Sequence, residues 1–278
     1  MRKTSKSETI RQRGFTLTEL AVVLVIVGLL TGSLLGSYST MVSIGKFKDA
    51  QTQLSTVSDA LLGFASANGR LPCPATDGVS YGASNSYGVE SPSGGGACSV
   101  VSTNRPGLGY VPAATLGLTP VDSQGFLIDP WNNRILYAVT NSTTFNNEFT
   151  TQGALRTALI DASTSTPAPD LRICTTTPIN NPGTTTAACV NNAQTLTNSA
   201  AAVIISPGPN GATGGTGADE AQNLHSPALP VPSTPWPKDR VYISHTQSPA
   251  GATQGEFDDL VLWISPALVY NRIMSGGI

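Results

Sequence analysis

Charge is what this sequence has least of. Only 15 basic and 17 acidic residues occur among its 278, two histidines join them, and aromatic side chains make up 6%. Such a chain carries no clustered basic patch of the kind that a phosphate backbone demands, so no nucleic acid is expected as a partner. Catalytic signatures are missing too. There is no G-x-S-x-G, no H-E-x-x-H and no glycine-rich loop ending in Lys-Ser/Thr, which removes the common hydrolase, zinc-protease and nucleotide-binding patterns. The glycine-rich run from Gly208 to Gly217 has no lysine. His225 and His245 stand alone, and without a C-x-x-C they make no zinc site. Trp131, Trp236 and Trp263 read as turn or core residues, and Asp258-Asp259, adjacent in an extended chain, point to opposite faces. The expectation is a protein that is not an enzyme.

What is abundant is Ser, Thr, Asn, Gly (28) and Pro (20), the texture of a loop-rich extracellular β domain. Four cysteines, Cys73, Cys98, Cys174 and Cys189, read as disulfides in an oxidising compartment. Three pairings are open. Local bridges, Cys73 with Cys98 and Cys174 with Cys189, are favoured because each pair flanks one irregular excursion.

The first residues are the exception to the scarcity of charge. Arg2, Lys3, Lys6, Arg11 and Arg13 against Glu8 make a basic leader, which holds the N-terminus in the cytoplasm by the positive-inside rule. Without residues 1–14 the chain keeps 10 basic and 16 acidic residues, a net charge of −6. No charge appears over residues 20–45, enough helix to cross about 30 Å of hydrocarbon. Glu19 sits immediately before that run, four residues into the apolar segment that starts at Phe15, where a carboxylate costs about 3 kcal/mol. An intramembrane charge needs a partner.

Arg13-Gly14-Phe15-Thr16-Leu17-Thr18-Glu19 followed by the apolar run resembles the leader and membrane segment of type IV pilins and of the pseudopilins of type II secretion. The resemblance implies that a prepilin peptidase cuts between Gly14 and Phe15 and methylates the new amine of Phe15. It also implies that Glu19 pairs with the Phe15 ammonium of another subunit, each charge relieving the burial penalty of the other. The peptidase, an inner-membrane assembly platform and other pilin-type subunits are the implied partners.

The segments that follow divide accordingly. Residues 1–14 are the leader, 15–37 the transmembrane half of one long helix, 38–68 its amphipathic periplasmic half, and 69–278 a periplasmic head. Phe47, Leu54, Val57, Leu61, Phe64 and Ala65 recur near helical spacing, and Asn68-Gly69 with Pro72 and Pro74 stop the helix. Gly28, Gly32 and Gly36, four apart, permit close helix approach. In the head, residues 75–110 read as a long loop and 110–118 as a short helix or turn. Asp129-Pro130-Trp131-Asn132-Asn133 is turn chemistry leading to a strand over 134–140. It resembles the Asp-Pro-Trp-Gly turn of major pseudopilins, with Asn132 at the glycine. A further strand is expected over 202–206, an acidic turn and a last strand within 257–264, and a short helix over 266–274. Residues 141–200 and 212–240 read as insertions, the latter holding the proline cluster Pro227 to Pro237.

Major pseudopilins hold calcium in the corresponding C-terminal loop, so the resemblance makes Asn210, Asp219, Asp258 and Asp259 candidate calcium ligands, although the insertion departs from the family spacing. The expected fold is α+β, a long N-terminal transmembrane helix packed on an antiparallel sheet with disulfide-restrained loops. The expected role is structural: a minor subunit of a type II secretion pseudopilus in the bacterial inner membrane. A minor type IV pilin for adhesion or DNA uptake is the alternative, and a membrane-anchored periplasmic enzyme the distant one.

Overall fold

The computed structural model describes residues 14–76, 87–98, 108–140, 147–160, 167–177, 189, 191–213, 217–224, 241–253 and 255–276, and of 33–39 the helical backbone alone. The leader up to residue 13, His225, Trp236 and the proline cluster lie outside the described residues. The chain divides into two units, Met1–Lys46 and Phe47–Ile278.

The helix α1, Leu17–Asn68, begins in the first unit and ends in the second. Its sequence is proline-free and rich in Leu and Ala, which favour the helix. Gly69 ends it, at φ 67°, donating its N–H to Ala65 O at 2.9 Å; a left-handed residue just past a helix is where glycine has no Cβ to clash. Within the second unit α1 buries Ala50, Leu54, Val57, Leu61 and Ala65, steps of three and four that keep one face inward. Phe47 is half-buried, edge-on to Trp131 with centroids 4.7 Å apart.

That face packs on a four-stranded antiparallel sheet ordered β1 (Leu108–Tyr110), β2 (Leu136–Val139), β5 (Ala202–Ser206) and β7 (Leu260–Ile264). Tyr137, Val139, Ala202, Ile204 and Ile264 meet the α1 residues, joined by Val269 and Ile273 of α5 (Pro266–Ser275). Ala138, Val203 and Ile205 face the other way, onto Leu171, Ile173 and Tyr242 of a second sheet. All five residues of β5 are therefore buried; a strand covered on both sides loses the apolar–polar alternation and reads as a continuous apolar run.

The second sheet, ordered β4 (Thr195–Ala200), β3 (Leu171–Cys174) and β6 (Val241–Ile243), corrects the expectation of one antiparallel sheet, since β3 and β6 are parallel. The intervening β4, β5 and the helix α4 (Ala218–Leu224) supply the long connection that parallel neighbours require. The stretches 141–200 and 212–240, read as insertions, carry regular structure of their own: α3 (Ala154–Ile160), β3 and β4 in the first and α4 in the second. Residues 108–110, read as the end of a loop, form β1, and α2 (Ala113–Leu116) follows. Strands of three or four residues have too little length for a period of their own. Their partners far along the chain hold them.

Both local disulfides form, Cys73–Cys98 with Cα atoms 5.3 Å apart and Cys174–Cys189 at 5.5 Å. Beside the first, Arg70 and Glu90 make a buried two-pronged ion pair, both contacts 2.7 Å. Glu90 also accepts the N–H of Cys73 at 3.1 Å and of Gly94 at 3.2 Å. Burial acts to raise its pKa, but the Arg70 hydrogen bonds and charge outweigh it and hold the carboxyl below its ordinary value.

Candidate functional site

Two regions hold the residues singled out by the sequence, the start of α1 and the loop around α4. Gly14 and Phe15 precede α1 and are exposed. Thr16 caps the helix. Its Oγ1 accepts the Glu19 N–H at 3.3 Å, while Glu19 Oε2 accepts the Thr16 N–H at 3.4 Å. This reciprocal capping box satisfies two donors that the first turn leaves without helical partners, and it sets the carboxylate where the helix dipole favours negative charge.

Beyond Glu19 the helix is apolar on every side and exposed throughout residues 20–32, with Leu24 at 70% and Leu29 at 72%. Apolar surface of this extent calls for a lipid or protein covering. Thr31 returns its hydroxyl to Val27 O at 2.8 Å, so it needs no water. Neither Gly28 nor Gly32 has anything within 4 Å of where a Cβ would stand; Gly36 lies outside the described side chains. Among the described residues no helix is long and apolar enough to cross a membrane. The described side chains before residue 33 fall short of the about 20 apolar residues of a full span.

Residues 10–35 match the family model of the prokaryotic N-terminal methylation motif. This motif is the signature of type IV pilins and pseudopilins. It supports processing by a prepilin peptidase and implies inner-membrane anchoring and assembly with other pilin-type subunits. Gly14, Phe15 and Glu19, and Gly28 and Gly32 beyond them, all fall inside the methylation motif. No curated protein and no solved structure matches the chain.

In the second unit the structure brings three of the four candidate calcium ligands around Glu220, which the sequence reading did not select. Glu220 lies in the first turn of α4 and is fully buried. Asn210 Nδ2 donates to Glu220 Oε1 and Oε2 at 3.1 and 3.2 Å, and the Asp258 N–H donates to Oε1 at 2.9 Å. Asp259 Oδ2 accepts from Asn223 Nδ2 at 2.9 Å, and Asn223 clamps the Ile243 backbone through both N–H and C=O. Burial raises the pKa of Asp258 to about 7, helped by the charges of Glu220 and Glu256. Burial likewise pushes Asp259 well above the carboxylate range, against the Asn223 hydrogen bond and with Glu220 and Asp258 adding repulsion. Like charges crowded in a poor solvent favour the protonated form.

Asp219, the fourth candidate, is turned elsewhere. Its Oδ1 accepts the N–H and hydroxyl of Thr177, each at 2.6 Å, and its Oδ2 lies 3.2 Å from His245 Nε2. His245 stacks on Phe257 with ring centroids 3.9 Å apart. So the histidine that stands alone in the sequence has an acidic partner in the fold. Glu220 and Asn223, three apart in one helix turn, were the local signal for this cluster, hidden because the helix itself was not recognised.

The Asp129 turn ties this loop to the sheet. Asp129 Oδ1 accepts the N–H groups of Trp131 and Asn133, both at 2.9 Å, Oδ2 accepts the Ser206 hydroxyl, and Asn133 Nδ2 reaches Gly208 O at 2.6 Å. Asn132 has φ 67°, a conformation that asparagine tolerates better than most residues, which explains why it can stand where the resembled turn has glycine. At Gly208, φ 68°, a Cβ would lie 2.6 Å from Asp258 O, so no side chain fits.

Proposed function

We propose that this chain is a minor subunit of a type II secretion pseudopilus. The methylation motif carries the pilin-type part of this reading, because it joins Gly14-Phe15 and Glu19 to a helix whose first half is apolar on all sides. In this reading a prepilin peptidase hydrolyses the Gly14–Phe15 bond and methylates the new amine. Residues 15–37 span the inner membrane with the N-terminus cytoplasmic, and 69–278 form the periplasmic head, whose two disulfides suit that oxidising compartment. The assembly platform draws the processed chain out of the membrane into a filament of pilin-type subunits. Glu19, freed from its capping role, pairs with the Phe15 ammonium of a neighbour. The size of the second unit, Phe47–Ile278, and its two disulfide-closed excursions favour a subunit used in few copies over one packed along a shaft.

Mass spectrometry of the chain from its own membranes is the first test. An N-terminal peptide starting at methylated Phe15 is expected; a chain that still starts at Met1 overturns the reading. Glu19→Ala is expected to insert in the membrane yet assemble poorly, and normal assembly of that variant removes the proposed pairing. Deleting the gene separates secretion from piliation. Lost export with intact surface pili assigns the pseudopilus, whereas lost pili with normal export assigns a minor type IV pilin.

A further inference from the structure

A buried carboxylate needs either a cation or a set of hydrogen-bond donors, and Glu220 raises the question of which. The resemblance to major pseudopilins implies calcium in this loop. Calcium takes six to eight oxygens around one point. The oxygens here are plentiful, and Asn210 Oδ1, Asp258 Oδ1 and Asp259 Oδ1 are buried without a hydrogen-bond partner, which by itself suits a cation. Their arrangement does not. Among the described residues no three His, Cys, Asp or Glu side chains are placed to hold a metal ion. Asp219 is engaged by Thr177 and His245. Asp258 sits against Gly208, while its neighbour Asp259 reaches the other way to Asn223. Convergence outweighs the count of free oxygens, since scattered ligands cannot replace a hydration shell. The residues present do not fit the ion.

We propose that the Asn210 side-chain amide takes the place of a cation: with the Asp258 N–H it clasps Glu220, and the C-terminal loop of the head closes without calcium. The amide bridges both carboxylate oxygens of Glu220 from the loop after β5, and the Asp258 N–H reaches the same carboxylate from the segment that enters β7. Through these donors the Glu220 carboxylate joins three stretches of chain that a shared ion would otherwise hold. An asparagine does this where an aspartate cannot, because only the amide has N–H to give.

The test is thermal unfolding of the full chain in detergent, followed by tryptophan fluorescence, in EDTA and in millimolar calcium. The same midpoint is expected in both, with no heat of calcium binding by calorimetry. A midpoint that rises with calcium overturns the proposal, and this comparison needs no variant. Asn210→Asp places a second carboxylate against Glu220, so its midpoint is expected to drop by several degrees in EDTA. Asn210→Ala is expected to drop in EDTA and in calcium alike. An unchanged midpoint for Asn210→Ala also overturns the clasp.

Discussion

Arg70 and Glu90 show how one residue pair can hold a region that has little regular structure. The pair is buried, doubly hydrogen-bonded and adjacent to Cys73, and Arg70 also lies over the Phe64 ring, 5.0 Å from its centroid. Removing one partner strands a charge away from water, at a cost of about 3–5 kcal/mol. Arg70→Met should therefore destabilise the full chain by that order in urea unfolding. The double variant Arg70→Met with Glu90→Gln should recover about 1–3 kcal/mol of it, since the stranded charge is gone. Simple additivity of the two changes would show that the pair is not coupled. The Asp129 turn was legible at this scale, because Asp-Pro and Asn-Asn carry their own turn chemistry. The Arg70–Glu90 pair was not, as nothing local links residues 20 positions apart.

The elements differ in how far they could be read. α1 was legible nearly to its ends, expected over 15–68 and found at Leu17–Asn68, because helical periodicity over many turns is a strong signal. α4 was hidden in a run that opens with glycine, threonine and alanine. The acidic cluster around it sets the pH response of the second unit. With Asp258 raised to about 7, the folded state holds a proton that the unfolded chain releases near pH 4. Stability from this group is full below about pH 4 and is lost as pH rises through about 7. Asp259, also raised, acts in the same direction. Glu90 acts oppositely: its lowered pKa gives stability that is present above the ordinary glutamate value of about 4.3 and lost as pH falls below it. The unfolding midpoint in EDTA is accordingly expected to fall between pH 5 and pH 8, and Asp258→Asn to flatten that slope. A midpoint that climbs over the same interval would contradict the assignment.

For the whole molecule, the second unit is a helix, a sheet and a second sheet in successive layers, with β5 buried between. Each disulfide closes one excursion from this core, spanning 25 and 15 residues. Chain-entropy arguments give each bridge about 3 kcal/mol, slightly more for the longer loop. Replacing Cys73 and Cys98 together by serine should thus cost at least as much as replacing Cys174 and Cys189, as read by urea unfolding of the full chain. The first excursion also carries Glu90, so a smaller loss there would mean that the ion pair holds the loop unaided.

Local order along the chain was enough to specify the methylation motif, the uncharged segment after it, the amphipathic half of α1 and the strand at 202–206. Each is a contiguous run whose chemistry or period needs no distant partner. Tertiary structure alone decided the rest. The parallel pairing of β3 with β6, the approach of His245 to Asp219, and the gathering of Asn210 and Asp258 on Glu220 join residues 10 to 69 positions apart. Such contacts are selected by which faces the buried sheets leave open and by which polar groups would otherwise be left without a partner, and neither condition exists until the core has formed.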